Sequence, residues 1–320
     1  MVAKLKTVFM GTPDFAVAPL LALAGNPDIK VVAVITQEDK KTGRKQIITQ
    51  PPVKTAAIKL DIPVLQPSAY HNNNEIINLL KGLKPDFFVV TAYGQILPEK
   101  VLEIPRHGCI NIHGSLLPKY RGASPIESAI IQGDKETGIT FMKMIRKMDA
   151  GPIYDIFRLQ ISDDDTSLTL RQKLSLLAAT QLPYVLKDIA FSTIEPIEQD
   201  HAKATYCRKI TKEDGYADLN KQTAAEIINM IRAYDPWPGC FLVFKDKKIK
   251  IIRAESDSNT SSPIKPYEMI EMGKDKIGIG TKKGVLIPQK VQMEGKTPVS
   301  IQDFLLGNRN LLVRLLESAR

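Results

Sequence analysis

The chain is short of cysteine and of long apolar stretches, and each shortage excludes a class of protein. The three cysteines among 320 residues, Cys109, Cys207 and Cys240, form no paired framework of the kind that small secreted domains use. No uninterrupted apolar run approaches the roughly twenty residues of a membrane-spanning helix. Met1 leads straight into strand-like sequence, with neither a signal peptide nor an Arg/Ser-rich transit segment. These absences predict a protein of the reducing cytoplasm without a membrane span.

Signatures of nucleotide cofactors and of metals are also missing. A dinucleotide fingerprint needs three glycines spaced G-x-G-x-x-G, and the turn Gly11–Asp14 has one, so we interpret it as a tight strand-to-helix turn. His107, Cys109 and His113 lack the four regularly spaced ligands of a zinc motif. We expect Cys109 to pack in the core rather than to act as a nucleophile. The sequence therefore predicts neither a dehydrogenase nor a metal site.

Positive charge is in excess and is concentrated in two zones. The net charge is +9, with an isoelectric point near 9.2. Residues 40–60 contain six Lys or Arg and no acid, and residues 206–320 contain twenty basic and fourteen acidic residues. One such zone is typical of a solvated surface. Two separate zones favour a polyanionic partner, without identifying it as nucleic acid.

The first half of the chain alternates short apolar runs with helical patterns, which predicts a parallel, doubly wound α/β sheet. The predicted strands are Thr7–Met10, Val31–Ile35, Phe87–Val90, Cys109–Ile112 and Ile139–Met142. The predicted helices are Asp14–Ala24, Pro52–Leu60, Asn74–Leu83 and Ser124–Gln132. In such a sheet the functional loops lie at the carboxyl ends of the strands.

The second half changes character. A strong capping signal at Asp163–Ser167 predicts a long helix over Leu168–Ala190, and residues 191–206 are polar and irregular, as in a linker. Beyond them the pattern predicts a helix over Thr223–Tyr234 and several short strands separated by turns. The predicted strands are Phe241–Phe244, Ile249–Arg253, Lys276–Gly280 and Val285–Val291. We expect a catalytic domain over 1–190, a linker over 191–206 and a smaller β-barrel-like domain over 207–320.

Three polar residues form the candidate site. Asn111 and His113 are two apart at the end of a predicted strand, so their side chains share one face. An amide can donate to a developing oxyanion, and an imidazole can move a proton near neutral pH. A carboxylate from Asp149 would orient the ring and favour its charged form. This set suits a tetrahedral intermediate with no covalent step on the protein. Chemistry alone leaves open a structural role for all three residues.

The segment Asn111–Gly122, taken with Asp149, resembles the folate-dependent formyltransferases that use 10-formyltetrahydrofolate. Other segments resemble that family in the same order, namely Gly11–Val17, Gln50–Lys54, Ile62–Pro67, Asp235–Gly239, Val291–Lys296 and Asp303–Gly307. The resemblance implies a Rossmann-like N-terminal formyltransferase domain and an OB-like C-terminal β-barrel that binds tRNA. It also implies formyl transfer to the α-amino group of methionine on initiator tRNA, in translation initiation, by a monomer without a metal.

The resemblance assigns residues as well. It makes Asn111, His113 and Asp149 the catalytic set. The implied folate contacts are Ser115, Leu116, Leu117 and Pro118, together with Tyr93, Gln95, Ile96 and Leu97. The implied tRNA contacts are Lys40, Lys41, Arg44 and Lys45.

Two alternatives stay open. The first is an enzyme of the same chemistry with a sugar nucleotide or glycinamide ribonucleotide as acceptor. An enzyme acting on an amino-sugar nucleotide could keep the same three residues and a C-terminal barrel, and the pair Lys119-Tyr120 also occurs in such enzymes. The two basic zones argue against that acceptor. A non-catalytic RNA-binding protein on the same fold would be expected to have lost Asn111, His113 or Asp149, and all three are present.

Overall fold

The computed structural model describes residues 4–43, 46–70, 73–244, 247–257, 264–272 and 276–306, without the side chains of Thr42 and Phe244. Arg44 and Lys45, two of the predicted tRNA contacts, lie outside the described residues. The chain divides into two compact units. The first comprises Met1–Pro125, Glu136–Gln160 and Arg171–Cys207, and the second comprises Ile126–Lys135, Ile161–Leu170 and Arg208–Arg320. The domain boundaries expected from the sequence, at 190 and 206, stay predictions.

The chain up to Cys207 alternates strands and helices. Its strands are β1 Leu5–Gly11, β2 Ile29–Ile35, β3 Lys40–Thr42, β4 Ile47–Thr49, β5 Val64–Leu65, β6 Phe87–Thr91, β7 Cys109–His113, β8 Arg121–Gly122, β9 Glu136–Lys143, β10 Ile153–Gln160 and β11 Tyr206–Cys207. Its helices are α1 Val17–Ala24, α2 Pro52–Lys59, α3 Asn74–Gly82, α4 Glu99–Leu102, α5 Pro125–Ile131 and α6 Ser167–Ala190.

The main sheet of the first unit has seven strands in the order β10-β9-β7-β6-β1-β2-β5. The strands from β7 to β5 are parallel to one another, as the alternation of strands and helices predicted. Strand β9 contains the predicted strand Ile139–Met142 and runs antiparallel to β7, so the expectation that it belongs to the parallel set was wrong. The loop over 144–152 is too short for a crossover helix, and β10 therefore returns antiparallel to β9.

The central parallel strands are buried on both faces, and their register brings the carboxyl ends of neighbouring strands together. Phe87–Thr91 and the centre of β1 are buried throughout, as expected for continuous apolar runs between two layers of helices. Burying each large aliphatic or aromatic side chain contributes about 1.5–3 kcal/mol. In the resulting register Val90 of β6 pairs with Asn111 of β7. The loop after β6 therefore begins beside the polar end of β7.

The second unit contains an antiparallel sheet, so the prediction of a separate C-terminal β domain is confirmed. Its strands are β12 Cys240–Phe244, β13 Lys247–Asp257, β14 Met269–Glu271, β15 Ile277–Gly280, β16 Val285–Met293 and β17 Val299–Ser300. They follow the order β12-β13-β16-β15-β14, with β17 paired to β16. Helix α7 spans Ala224–Ala233 and begins at a capping box in which Thr223 and Glu226 satisfy each other's backbone N–H groups.

Candidate active site

The three predicted catalytic residues lie side by side. Asn111 and His113 end strand β7, and Asp149 lies in the loop between β9 and β10. The Nδ2 atom of Asn111 is 3.5 Å from Oδ1 of Asp149. The Nδ1 atom of His113 is 3.8 Å from Oδ2 of the same carboxylate. An amide donor and an imidazole therefore share one carboxylate, although the roles of these residues in catalysis stay predictions.

The imidazole of His113 has a second neighbour, which sets its tautomer. Its Nε2 atom lies 2.9 Å from the backbone carbonyl oxygen of Tyr120. Because a carbonyl can only accept, Nε2 carries a hydrogen and donates it. Nδ1 then faces Asp149, and a proton added there would point toward the carboxylate. Protonation would thus give both ring nitrogens an acceptor.

Two further hydrogen bonds hold Asp149 in place. The backbone N–H of Gly122 donates to Oδ2 at 2.9 Å, and the side chain of Gln199 donates to the Asp149 carbonyl at 3.0 Å. Asp149 itself has φ 48°, in the left-handed region that Asp tolerates better than most non-glycine residues, at some cost in energy. Gly122 has φ 122°, and a Cβ there would lie 2.0 Å from the carbonyl oxygen of Cys207. Only glycine fits at that position.

The segment predicted to contact folate is a loop tied to strand β9. Thr140 is fully buried and donates from Oγ1 to the carbonyl of Ser115 at 2.6 Å, while it accepts from the backbone N–H of Leu117 at 3.1 Å. Ser115 Oγ donates to the carbonyl of Lys119 at 2.6 Å. Ser115 and Leu117 are buried, whereas Leu116 and Pro118 are half-buried. These hydrogen bonds therefore fix the shape of the loop after β7, and only part of the loop surface is accessible to a ligand.

A cleft of about 640 Å³ opens in the first unit, within the size range of small-molecule sites. Its walls follow the carboxyl ends of β2, β5 and β6, the edge at which β7 also ends. Its lining residues are Gln37, Glu38, Lys40, Ser68, Ala69, Tyr70, Gly94, Gln95, Ile96 and Pro98. Of the predicted folate contacts, Gln95 and Ile96 line this cleft, and Ile96 is 84% exposed.

Tyr93 and Leu97, the other two predicted contacts in that loop, lie in the hydrophobic core. The hydroxyl groups of Tyr93 and Tyr70 are 3.0 Å apart, and burial raises the pKa of Tyr93. The Tyr93 carbonyl accepts from Thr12 Oγ1 at 2.8 Å and from Gln37 Nε2 at 3.0 Å. Tyr93 and Leu97 therefore do not line the cleft, but Tyr93 is hydrogen-bonded to Tyr70 and Gln37, which do.

The described part of the basic loop is a β-hairpin. Lys40 and Lys41 are exposed on β3 and pair with Thr49 and Ile48 of β4. Next to the hairpin, the ammonium of Lys54 contacts both carboxylate oxygens of Asp39 at 2.8 and 2.9 Å, and this hydrogen bonding lowers the pKa of Asp39. The chain next to the hairpin is thus fixed by the Lys54–Asp39 ion pair, and Lys40 and Lys41 are exposed to solvent.

The cysteine and metal alternatives find no support in the described parts of the chain. Cys109 is buried, its thiol donates to the carbonyl of Leu102 at 3.4 Å, and burial raises its pKa to about 12. A thiol with that pKa supplies almost no thiolate at neutral pH. His107 stacks on Phe87 with ring centroids 5.0 Å apart. The described residues hold no group of three or more His, Cys, Asp or Glu suited to a metal ion.

Among the described helices, none is long and apolar enough to cross a membrane.

Three supporting groups were not found from the sequence. They are the carbonyl of Tyr120, the hydroxyl of Thr140 and the amide of Gln199. A backbone carbonyl has no sequence signature, and Thr140 lies within an apolar strand where a threonine is ordinary. Gln199 lies in the polar segment interpreted as a linker, so only its contacts with Asp149 and Gly151 reveal it.

The chain belongs to the formyl transferase family. Residues 5–186 match the family model for formyl transferase, and residues 209–309 match the model for its C-terminal domain. Within the family, the chain is 42% identical to the methionyl-tRNA formyltransferase of Desulfotalea psychrophila over 303 residues, which are 95% of this chain and 93% of that protein. It is 40% identical to the methionyl-tRNA formyltransferase of Staphylococcus aureus over 309 residues, 96% of this chain and 98% of that protein.

Solved structures share the fold at lower identity. The N-formyltransferase from Helicobacter canadensis, solved with folinic acid and dTDP-3-aminofucose, has a TM-score of 0.66 and 20% identity, covering 90% of this chain and 99% of that one. HypX from Aquifex aeolicus, solved with tetrahydrofolic acid, has a TM-score of 0.60 and 13% identity, covering 95% of this chain. The chain spans about half the length of HypX, 47%. At these identities the likeness establishes the fold alone.

Proposed function

We propose that this chain is a methionyl-tRNA formyltransferase, which transfers the formyl group of 10-formyltetrahydrofolate to the α-amino group of methionine on initiator tRNA. The observation that carries the proposal is the grouping of Asn111 and His113 around the carboxylate of Asp149. The group lies at the carboxyl end of β7, next to β6, whose following loop lines the cleft; the three residues themselves do not line it. Relatives about 40% identical over nearly the whole chain carry this activity in their names. Solved sugar formyltransferases share the fold with this chain at about 20% identity, which shows the fold and not the acceptor.

Asn111 stabilises the charge that develops on the formyl oxygen. As the neutral methionine amine attacks the formyl carbon, the carbonyl oxygen becomes an oxyanion, and the Asn111 amide donates a hydrogen bond to it. At 3.5 Å the contact of this amide with Asp149 is at the limit of a hydrogen bond, so the amide hydrogens are available to a substrate. Such a donor typically contributes about 10²–10³ in rate.

His113 supplies positive charge in the same region. In the protonated ring, Nε2 donates to the Tyr120 carbonyl and Nδ1 faces the carboxylate of Asp149. The ring is buried and has a neighbour at each nitrogen. Its positive charge can therefore stabilise the transition state with little movement of the surrounding groups. Asp149 thus orients the ring and compensates its charge.

The bonds balance without a covalent enzyme intermediate. A bond forms between the methionine nitrogen and the formyl carbon, and the bond between that carbon and the folate nitrogen breaks. The proton leaving the amine goes to the departing folate nitrogen through a positioned group or a water. Holding both substrates together supplies much of the remaining acceleration.

The folate is a substrate that the first unit can accommodate. The cleft has the volume of a site for a molecule of this size, and the Ser115–Pro118 loop and Gln95–Ile96 border the same sheet edge. Ser115, Leu116, Leu117, Pro118, Gln95 and Ile96 would contact the folate, with Tyr93 and Leu97 supporting them. No metal takes part in this scheme.

The tRNA would meet the exposed lysines of the β3–β4 hairpin and the basic C-terminal zone, residues 206–320, with its twenty basic and fourteen acidic residues. Lys40 and Lys41 of the hairpin are in solvent, and Arg44 and Lys45 complete the predicted contact. Neutralising phosphates releases counterions, so binding should weaken steeply as salt rises. We propose that the enzyme works as a monomer in the cytoplasm.

The test is transfer of radiolabelled formyl from 10-formyltetrahydrofolate. We expect label on initiator Met-tRNA, much less on elongator Met-tRNA, and none on an amino-sugar nucleotide such as dTDP-3-aminofucose. Label on the sugar nucleotide and none on Met-tRNA would overturn the proposal in favour of the alternative acceptor.

A further inference from the structure

We infer that Gln199 is a positioning residue for the formyl transfer proposed above, and that the segment 199–207 acts as a strap for the active site instead of a passive linker. The inference rests on the proposed function. Gln199 is 6% exposed, and both ends of its side-chain amide are occupied. Gln199 does not reach the substrate in this role. It acts through Asp149.

The nitrogen end of Gln199 holds the turn that carries Asp149. Nε2 donates to the carbonyl of Asp149 at 3.0 Å and to that of Gly151 at 2.7 Å. The turn is tightly packed, because a Cβ on Gly151 would lie 1.8 Å from the carbonyl oxygen of Lys143. Asp149 also keeps a left-handed φ of 48°. Two hydrogen bonds to a turn with so little room fix where its carboxylate points.

The oxygen end of Gln199 is bound to a buried cation. Arg121 is 1% exposed, and its Nε and Nη2 atoms donate to Gln199 Oε1 at 3.1 and 2.6 Å. Nη2 also lies 2.8 Å from Nδ1 of His201, which must accept because a guanidinium only donates. The Gln199 amide is thereby locked in the orientation that aims its N–H groups at the Asp149 turn.

The same segment supports the other neighbour of His113. Thr205 Oγ1 accepts from the backbone N–H of Tyr120 at 2.8 Å, and the Thr205 carbonyl accepts from that of Arg121 at 2.8 Å. The N–H of Thr205 donates to the carbonyl of Pro118 at 3.2 Å. Strand β11 then continues beside β8. One segment therefore holds both the carboxylate and the carbonyl between which the imidazole stands.

Two substitutions separate this role from a structural one. Gln199→Met keeps the length of the side chain and removes both hydrogen-bonding ends. Gln199→Glu keeps an acceptor for Arg121, so the buried guanidinium stays paired, but it turns a carboxylate oxygen toward the carbonyls of Asp149 and Gly151. We expect kcat to fall at least about tenfold in both variants, with KM for folate and for Met-tRNA within about twofold of the wild type.

A double-mutant cycle with Asp149→Ala gives the decisive readout. If Gln199 acts by placing the Asp149 carboxylate, Gln199→Glu should lower the single-turnover rate in the wild-type background and have almost no further effect once the carboxylate is absent. Equal effects in the two backgrounds, or an unchanged kcat in Gln199→Glu, would overturn the inference. An inactive wild type would instead contradict the proposed function.

A matched pair at Thr205 tests the second contact. Thr205→Ser keeps the hydroxyl that accepts from Tyr120, and Thr205→Val removes it at the same size. We expect Thr205→Ser to retain kcat within about twofold and Thr205→Val to lose several-fold, with an unchanged urea midpoint. Equal kcat in the two variants would remove Thr205 from the strap.

Discussion

The Nδ1 atom of His113 lies 3.8 Å from Oδ2 of Asp149, an ion-pair separation that is longer than a hydrogen bond. The carboxylate cannot move far, because Gly122 donates to the same oxygen. The ring cannot turn freely either, because its Nε2 atom is bonded to Tyr120. The pair is thus arranged so that a proton on Nδ1 finds a fixed counter-charge, and each part of this arrangement can be tested.

Asp149→Asn removes the negative charge and keeps an oxygen to accept from Gly122. We expect kcat to fall about 10²-fold while folate affinity changes little, because the imidazolium loses its counter-charge. Steady-state kinetics with folate binding measured separately checks this. Asp61→Asn is the matched control, since Asp61 is exposed and also has a positive φ, 52°. Wild-type turnover in Asp149→Asn would show that the charge is not used.

Thr140→Val should impair folate binding more than chemistry. The substitution removes the hydroxyl that donates to Ser115 and accepts from Leu117, so the loop that follows β7 loses its attachment to β9. Leaving those buried groups unpaired costs about 1–3 kcal/mol of stability. We expect a raised KM for folate and a lowered urea midpoint in Thr140→Val, and near-normal values in Thr140→Ser. An unchanged KM would mean that the loop does not hold the folate.

Lys41→Gln should weaken tRNA binding without affecting folate. Lys41 is exposed on the hairpin, so removing its charge should cost one phosphate contact. We expect a higher KM for Met-tRNA and a salt-dependence slope reduced by about 1. Lys81→Gln, at an exposed position in the last turn of α3, is the control. If both variants bind tRNA with the same salt dependence as the wild type, the hairpin makes no contact through Lys41.

Cys109 should be dispensable for turnover. Burial raises the pKa of its thiol to about 12, and that of Cys240 likewise to about 12, so both stay protonated at pH 8. We expect iodoacetamide to leave both unmodified in the folded protein and to label all three cysteines after denaturation, as mass spectrometry would show. Cys109→Ala should keep kcat. A large loss of kcat without unfolding would revive a nucleophilic role for this thiol.

In the main sheet of the first unit, the strands that the sequence predicted are mostly continuous apolar runs. Phe87–Val90 and Cys109–Ile112 lie in strands with both faces largely buried, so nearly all of their residues are apolar and the run can be recognised in the sequence. Strand β10, Ile153–Gln160, was missed because it is an edge strand of half-buried and exposed residues with polar side chains among them. The antiparallel direction of β9 was also missed, since direction depends on the connection and not on the strand's own residues.

The site divides in the same way. Asn111 and His113 could be predicted as candidates because two polar side chains two residues apart end a buried strand, and because the segment that contains them resembles the formyltransferases. Gln199 and Thr140 could not, because they contact backbone atoms of residues distant in the sequence. Such contacts leave no pattern in the sequence, because only folding brings Gln199 and Thr140 close to the backbone atoms that they contact.

Whether Asn111 and His113 act on the reacting formyl group can be measured by single-turnover formylation of initiator Met-tRNA. The variants are Asn111→Ala and His113→Ala, and equilibrium folate binding is measured on the same samples. We expect rates about 10²–10³ below the wild type in each variant, with folate still bound at similar affinity. A rate close to that of the wild type in either variant would contradict the assignment of that residue to the reacting formyl group.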